Sequence, residues 1–86
     1  MAISSTQVSC TTTPAVAYTA DNDGCMLYLH HQGGGVIWLG GSDLTTSNGL
    51  SIDSATDVVA IRLTAGDVLY ARSGTGTEVL QILVVN

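Results

Sequence analysis

Turn-forming residues interrupt this chain at intervals of about ten residues. Thr13-Pro14, Asp21-Asn22-Asp23-Gly24, the glycine run at 33–35, Asn48-Gly49, Thr64-Ala65-Gly66-Asp67 and Ser73-Gly74-Thr75-Gly76 are the clearest. Asn, Asp and Gly tolerate the positive φ of tight turns, and Pro presets φ for them. Strands of five or six residues fit between such signals. Composition agrees: there is no lysine, a single glutamate and a wealth of valine and threonine. Those choices disfavour helix and suit a half-buried pleated surface. The expectation is an all-β chain of about eight short antiparallel strands in a sandwich.

The strands are read over residues 3–12, 15–19, 25–31, 36–39, 50–52, 58–63, 68–72 and 77–85. In the third, Cys25, Leu27, Leu29 and His31 share one face and Met26, Tyr28 and His30 the other. Residues 36–39 (Val-Ile-Trp-Leu) are apolar on both faces, which marks a central or covered strand with Trp38 in the core. Val59, Ile61 and Leu63 point inward and Arg62 outward. The last three strands read as a sequential meander, with residues 64–67 as a hairpin turn. Strand order is invisible in such a list, so jelly-roll and immunoglobulin-like sandwiches both remain open.

At 86 residues and 8.8 kDa the chain makes one domain, residues 1–86, with residues 1–12 an edge strand or arm. Only 10% of residues are charged, with a net charge of −5. A chain without lysine has little to neutralise phosphate, so neither nucleic acid nor an anionic membrane is an expected partner. Sparse charge beside 45% hydrophobic residues implies surface that is covered by copies of the chain or by a partner. The final strand, with Leu80, Ile82 and Val84 on one side and Val79, Leu83 and Val85 on the other, shows the same need. No apolar run approaches the ~20 residues of a membrane span. Residues 1–6 lack the features of a secretory signal, so synthesis and maturation in the cytoplasm of whatever cell makes the chain are expected.

Candidate chemistry is thin. His30 and His31 point to opposite faces of one strand and cannot chelate one ion, so both are read as surface or loop-edge residues. Asp21-Asn22-Asp23-Gly24 opens like a calcium loop but lacks the later bidentate glutamate, which leaves a turn. The glycine runs precede no helix that could cradle phosphate. No strand-turn-helix elbow presents a serine nucleophile. Cys10 and Cys25 are read as part-buried thiols, disulfide-bonded only if their strands are neighbours. A non-catalytic protein with no metal and no cofactor is expected.

Residues 36–49, Val-Ile-Trp-Leu-Gly-Gly-Ser-Asp-Leu-Thr-Thr-Ser-Asn-Gly, and residues 63–71, Leu-Thr-Ala-Gly-Asp-Val-Leu-Tyr-Ala, resemble a family of small β proteins of tailed bacteriophages. The turn at 21–24 ahead of the Tyr-Leu-His strand fits as well, so the likeness runs from about residue 20 to the end. Leu44 stands where the family usually has valine, and residues 53–57 lack its Pro/Ala-Gly turn. The resemblance implies an accessory virion protein, most simply a capsid decoration protein on the capsid surface. Its partners would be the major capsid protein and itself, as a homo-oligomer for which a trimer is the first guess. Ile3 and Val8 in the N-terminal segment, and Asp43, Leu44, Thr45 and Asn48 in the 41–57 excursion, are the candidate contacts. A carbohydrate-binding module using Trp38, Tyr28 or Tyr70 as stacking platforms, and a head-tail or tail subunit, are the alternatives.

Overall fold

The computed structural model describes residues 3–31, 33, 35–45, 47–53 and 58–85. Eight strands form: β1 (Ile3–Cys10), β2 (Ala15–Thr19), β3 (Cys25–His31), β4 (Ile37–Gly40), β5 (Leu50–Ile52), β6 (Val58–Leu63), β7 (Val68–Ser73) and β8 (Glu78–Val85). They build two four-stranded antiparallel sheets, ordered β1-β8-β3-β6 and β2-β7-β4-β5. The pairs β1/β8, β2/β7, β3/β6 and β4/β5 are those of one long hairpin whose tip is the β4–β5 loop. Rolling that hairpin into two layers gives the jelly-roll order, which decides between the two sandwiches the sequence allowed.

The last three strands are therefore not a meander. β6 pairs with β3, β7 with β2 and β4, and β8 with β1 and β3. The turn at 64–67 does form, closed by Asp67 N donating to Thr64 O at 3.0 Å. It carries the chain from one sheet to the other, where Ala20 N donates to Asp67 O at 2.8 Å. A tight reversal has the same local chemistry whether its two strands pair or face each other across the core. Which occurs depends on partners distant in sequence.

The core is the space between the sheets. Leu27, Leu29, Leu80 and Val84 from the first sheet meet Ile37 and Ile52 from the second, all fully buried. Each such side chain contributes roughly 1.5–3 kcal/mol by leaving water. β4 is a central strand, as its apolar character implied. Its inward side chains, however, are Ile37 and Leu39, and Trp38 is half-buried on the outer face. Trp38 is thus no core residue: strand alternation gives it the face opposite its two buried neighbours. The placements expected for residues 1 and 2, Gln32, Gly34, Thr46, 54–57 and Asn86 lie outside the described residues.

Loops gather at two ends. At one end Ser73 N donates to Thr11 O at 2.8 Å and Gly74 N to Val36 O at 3.0 Å, tying three connections together. At the other end lie the β2–β3, β4–β5 and β6–β7 loops, which carry Asp21, Asp23, Asp43 and Asp67, all exposed.

Candidate interaction surface

The outer face of the first sheet is assembled by register. Ile3, Val85 and Met26 form one row with Arg62; Ser5, Leu83, Tyr28 and Ala60 form the next; Gln7, Gln81, His30 and Val58 the third. Strand alternation forces these residues outward because Leu27, Leu29, Leu80, Ile82 and Val84 occupy the other face. The patch exposes large apolar groups: Ile3 is 66% accessible, Val58 63%, Tyr28 41% and Leu83 39%. Arg62 is the only formal charge that these three rows hold. A shallow groove between Tyr28, His30, Val58 and Leu83 runs across its middle. The sequence pointed to this face through a β8 that is apolar on both sides. It did not bring in Tyr28 and Val58, since only the β3–β6 pairing places them there.

The second sheet turns a different face outward. Register sets Arg72 opposite Trp38 and Tyr70 opposite Gly40, so Trp38 and Tyr70 are diagonal neighbours. Diagonal positions lie about 7–8 Å apart, within reach of two aromatic side chains. Trp38, Tyr70 and Arg72 are each half-buried. Tyr28, the third aromatic in the sequence-based list, is on the other sheet.

The β4–β5 loop is held by its own side chains. Asn48 accepts from Thr45 N at 2.8 Å through Oδ1 and donates through Nδ2 to Asp43 O at 3.1 Å. Leu44 N donates to Gly41 O at 3.1 Å. Of the residues expected to touch a partner, Asp43, Thr45 and Asn48 are exposed, and Ile3 is open on β1. Leu44 is buried, and its Cδ1 would lie 2.5 Å from a Cβ on Gly49. That side chain seals the tip of the hairpin and is unavailable to a partner. Val8 is half-buried against the core. The sequence-based contacts therefore divide between β1 and the hairpin tip.

His31 departs furthest from its expected place. It is fully buried, with Nε2 at 2.9 Å from Glu78 Oε1, while no group among the described residues pairs with Nδ1. Both residues project inward at the end where Gly33 and Gly35 pass over the carboxylate. A Cβ on Gly33 would collide with Glu78 Oε1, and one on Gly35 would stand 2.5 Å from Oε2. Among the described residues no three His, Cys, Asp or Glu side chains converge as a metal-binding group. The thiols of Cys10 and Cys25 are free and buried, and burial raises the pKa of each. Cys10 lies opposite Glu78 and Cys25 adjoins Met26, which lies opposite Val85, so they flank opposite ends of β8. That is roughly 25 Å along the strand, far beyond disulfide reach.

Comparison with protein-family models, with curated proteins and with solved structures finds no match for this chain. The architecture therefore rests on strand order, and a jelly roll by itself names no function.

Proposed function

We propose that this chain is a structural virion protein, a decoration protein that binds the outer lattice of a phage capsid as an oligomer and stabilises it. The observation that supports this reading is the outer face of the first sheet, where seven of twelve outward residues are apolar and one is charged. A patch of three rows across four strands covers about 300–400 Å². With about half of that area apolar, burial at about 25 cal/mol/Å² is worth roughly 4–5 kcal/mol before costs, and association removes about 4–15 kcal/mol. One contact is then weak, and a lattice that offers many to a linked oligomer turns weak contacts into firm attachment. The major capsid protein is the partner in this reading, and binding rather than catalysis is the activity.

Rebinding of purified protein to capsids stripped of it tests the proposal. Saturable binding that raises the capsid's resistance to heat supports it, and no binding rejects it. Tyr28→Asp, exposed on the patch, is expected to weaken rebinding while leaving the fold intact. The copy number per particle separates decoration, with hundreds of copies, from a head-tail or tail subunit with few.

A second reading has its own observation, the Trp38–Tyr70 diagonal on the other sheet. Paired aromatic platforms of this kind stack on sugar rings. Trp38→Ala is expected to abolish glycan binding without unfolding the domain if that reading holds.

A further inference from the structure

A jelly roll leaves four edge strands open, and each can template pairing with another chain unless something blunts it. Three are blunted here. β2 has five residues, follows Pro14 and carries a register shift between Val16 and Tyr18. β5 has only three residues. β6 carries Arg62 along its edge. β1 has none of these devices. Its eight residues, Ile-Ser-Ser-Thr-Gln-Val-Ser-Cys, hold no charge and no proline. Their register with β8 is unbroken from Ile3 opposite Val85 to Cys10 opposite Glu78. Residues 3–7 are exposed, and a shallow groove lined by Ser5, Thr6, Gln7 and Gln81 runs beside them.

We infer that β1 is a self-association edge: it pairs antiparallel with β1 of a second copy across a two-fold axis perpendicular to the sheet. A continuous eight-stranded sheet results, ordered β6-β3-β8-β1 and then the same strands reversed. Alternation restricts the register, because residues facing each other across an antiparallel pair must lie on one face of the sheet. A two-fold pairing must therefore centre on a residue. Centred on Thr6, it sets Thr6 against Thr6, Ser5 against Gln7, Ser4 against Val8 and Ile3 against Ser9. Such a pairing supplies roughly six to eight backbone hydrogen bonds. Thr–Thr and Ser–Gln pairs are compatible across strands and bring no like charges together.

Charge favours a second copy as the occupant. The chain is acidic overall, yet among the described residues its aspartates (Asp21, Asp23, Asp43, Asp53 and Asp67) lie in connecting loops and Glu78 points inward. Two copies thus meet along β1 without apposing carboxylates. The same two-fold leaves both apolar outer faces on one side of the joined sheet and doubles that surface. The inference needs only the edge, and it holds whether or not the capsid is the partner.

Sedimentation velocity over a concentration series, together with cysteine cross-linking, tests it on the purified chain. The wild type is expected to show a concentration-dependent dimer. Ser5→Lys with Gln7→Lys, both exposed on the outer face, sets lysines opposite each other and is expected to weaken that dimer about tenfold. Its thermal midpoint is expected to stay near that of the wild type. Thr6→Cys, or Gln7→Cys if the pairing centres one residue later, is expected to give a disulfide-linked dimer under mild oxidation. That product should vanish in denaturant, and the wild type, whose own thiols are buried, should not form it. A wild type that stays monomeric, a trimer, or a dimer that resists the lysines and yields no cross-link at either position overturns the inference. The cross-linking arm still decides if the lysine variant fails to fold.

Discussion

Truncating Glu78 to alanine removes the one hydrogen-bond partner that His31 has among the described residues. His31 is fully buried, its Nε2 has only Glu78 Oε1 at 2.9 Å, and its Nδ1 is already unpaired. The variant leaves both ring nitrogens in the core without a hydrogen bond, at about 1–3 kcal/mol. The Glu78 side chain is 19% exposed, so water can enter its place and hold the loss toward the middle of that range. For a domain of this size 1 kcal/mol corresponds to about 4–8 °C, which gives a fall of roughly 8–16 °C in the thermal midpoint for 2 kcal/mol. Glu78→Gln retains polar atoms that can meet either tautomer of the ring and is expected to lose less than half as much. The same truncation in a His31→Leu background should cost little, since nothing polar is stranded there. Circular-dichroism melts and urea titrations of the four chains close the double-mutant cycle. An equal loss with and without His31 would refute the reasoning. So would a Glu78→Ala chain as stable as the wild type.

Gly24→Ala and Gly66→Ala share a positive φ but differ in surroundings. At Gly24 (φ 71) the new Cβ meets the backbone oxygen of Leu63 at 2.5 Å, whereas at Gly66 (φ 82) it meets nothing within 4 Å. Gly66→Ala is expected to cost about 1–2 kcal/mol and Gly24→Ala clearly more, and equal losses in urea titrations would contradict this. For Asp67, hydrogen bonds from Thr64 N and the Thr64 hydroxyl lower the carboxyl pKa below its ordinary value of 3.8. A depressed folded-state pKa contributes stability above the unfolded value that is lost as pH falls through the folded one. An NMR titration midpoint for Asp67 at or above 3.8 would contradict the stated bonds. Burial raises the thiol pKa of Cys10 and Cys25, so Ellman's reagent should react slowly with the native protein and with both thiols in denaturant, and rapid native reaction would show an open core.

Much of the fold was legible because its signals are local. Alternation in residues 25–31 identified the buried set Cys25, Leu27, Leu29 and His31 as one face, and the structure buries all four. The same rule could not say that His31 is buried with its ring paired. That requires Glu78, 47 residues away, to arrive at the same end of the sandwich. Trp38 was misplaced for a related reason. A run apolar on both faces shows that the strand is covered, yet not which alternate set faces the core. Of the candidate contacts, Leu44 failed because a leucine in a polar loop looks exposed until Gly40 and Gly49 are seen to open a space beneath it.

By itself the sequence determined that this chain is all strand, roughly where each strand runs, and that its apolar residues exceed what one core can hide. Those are consequences of side-chain period, turn chemistry and composition, and they act over a few residues. Only the tertiary structure decided that the sandwich is a jelly roll, that Tyr28, Leu83 and Val58 converge on one outer face, and that β1 is left as an unguarded edge. Pairing partners such as β1 with β8 are chosen by burial summed over the whole chain, and no local window contains that sum.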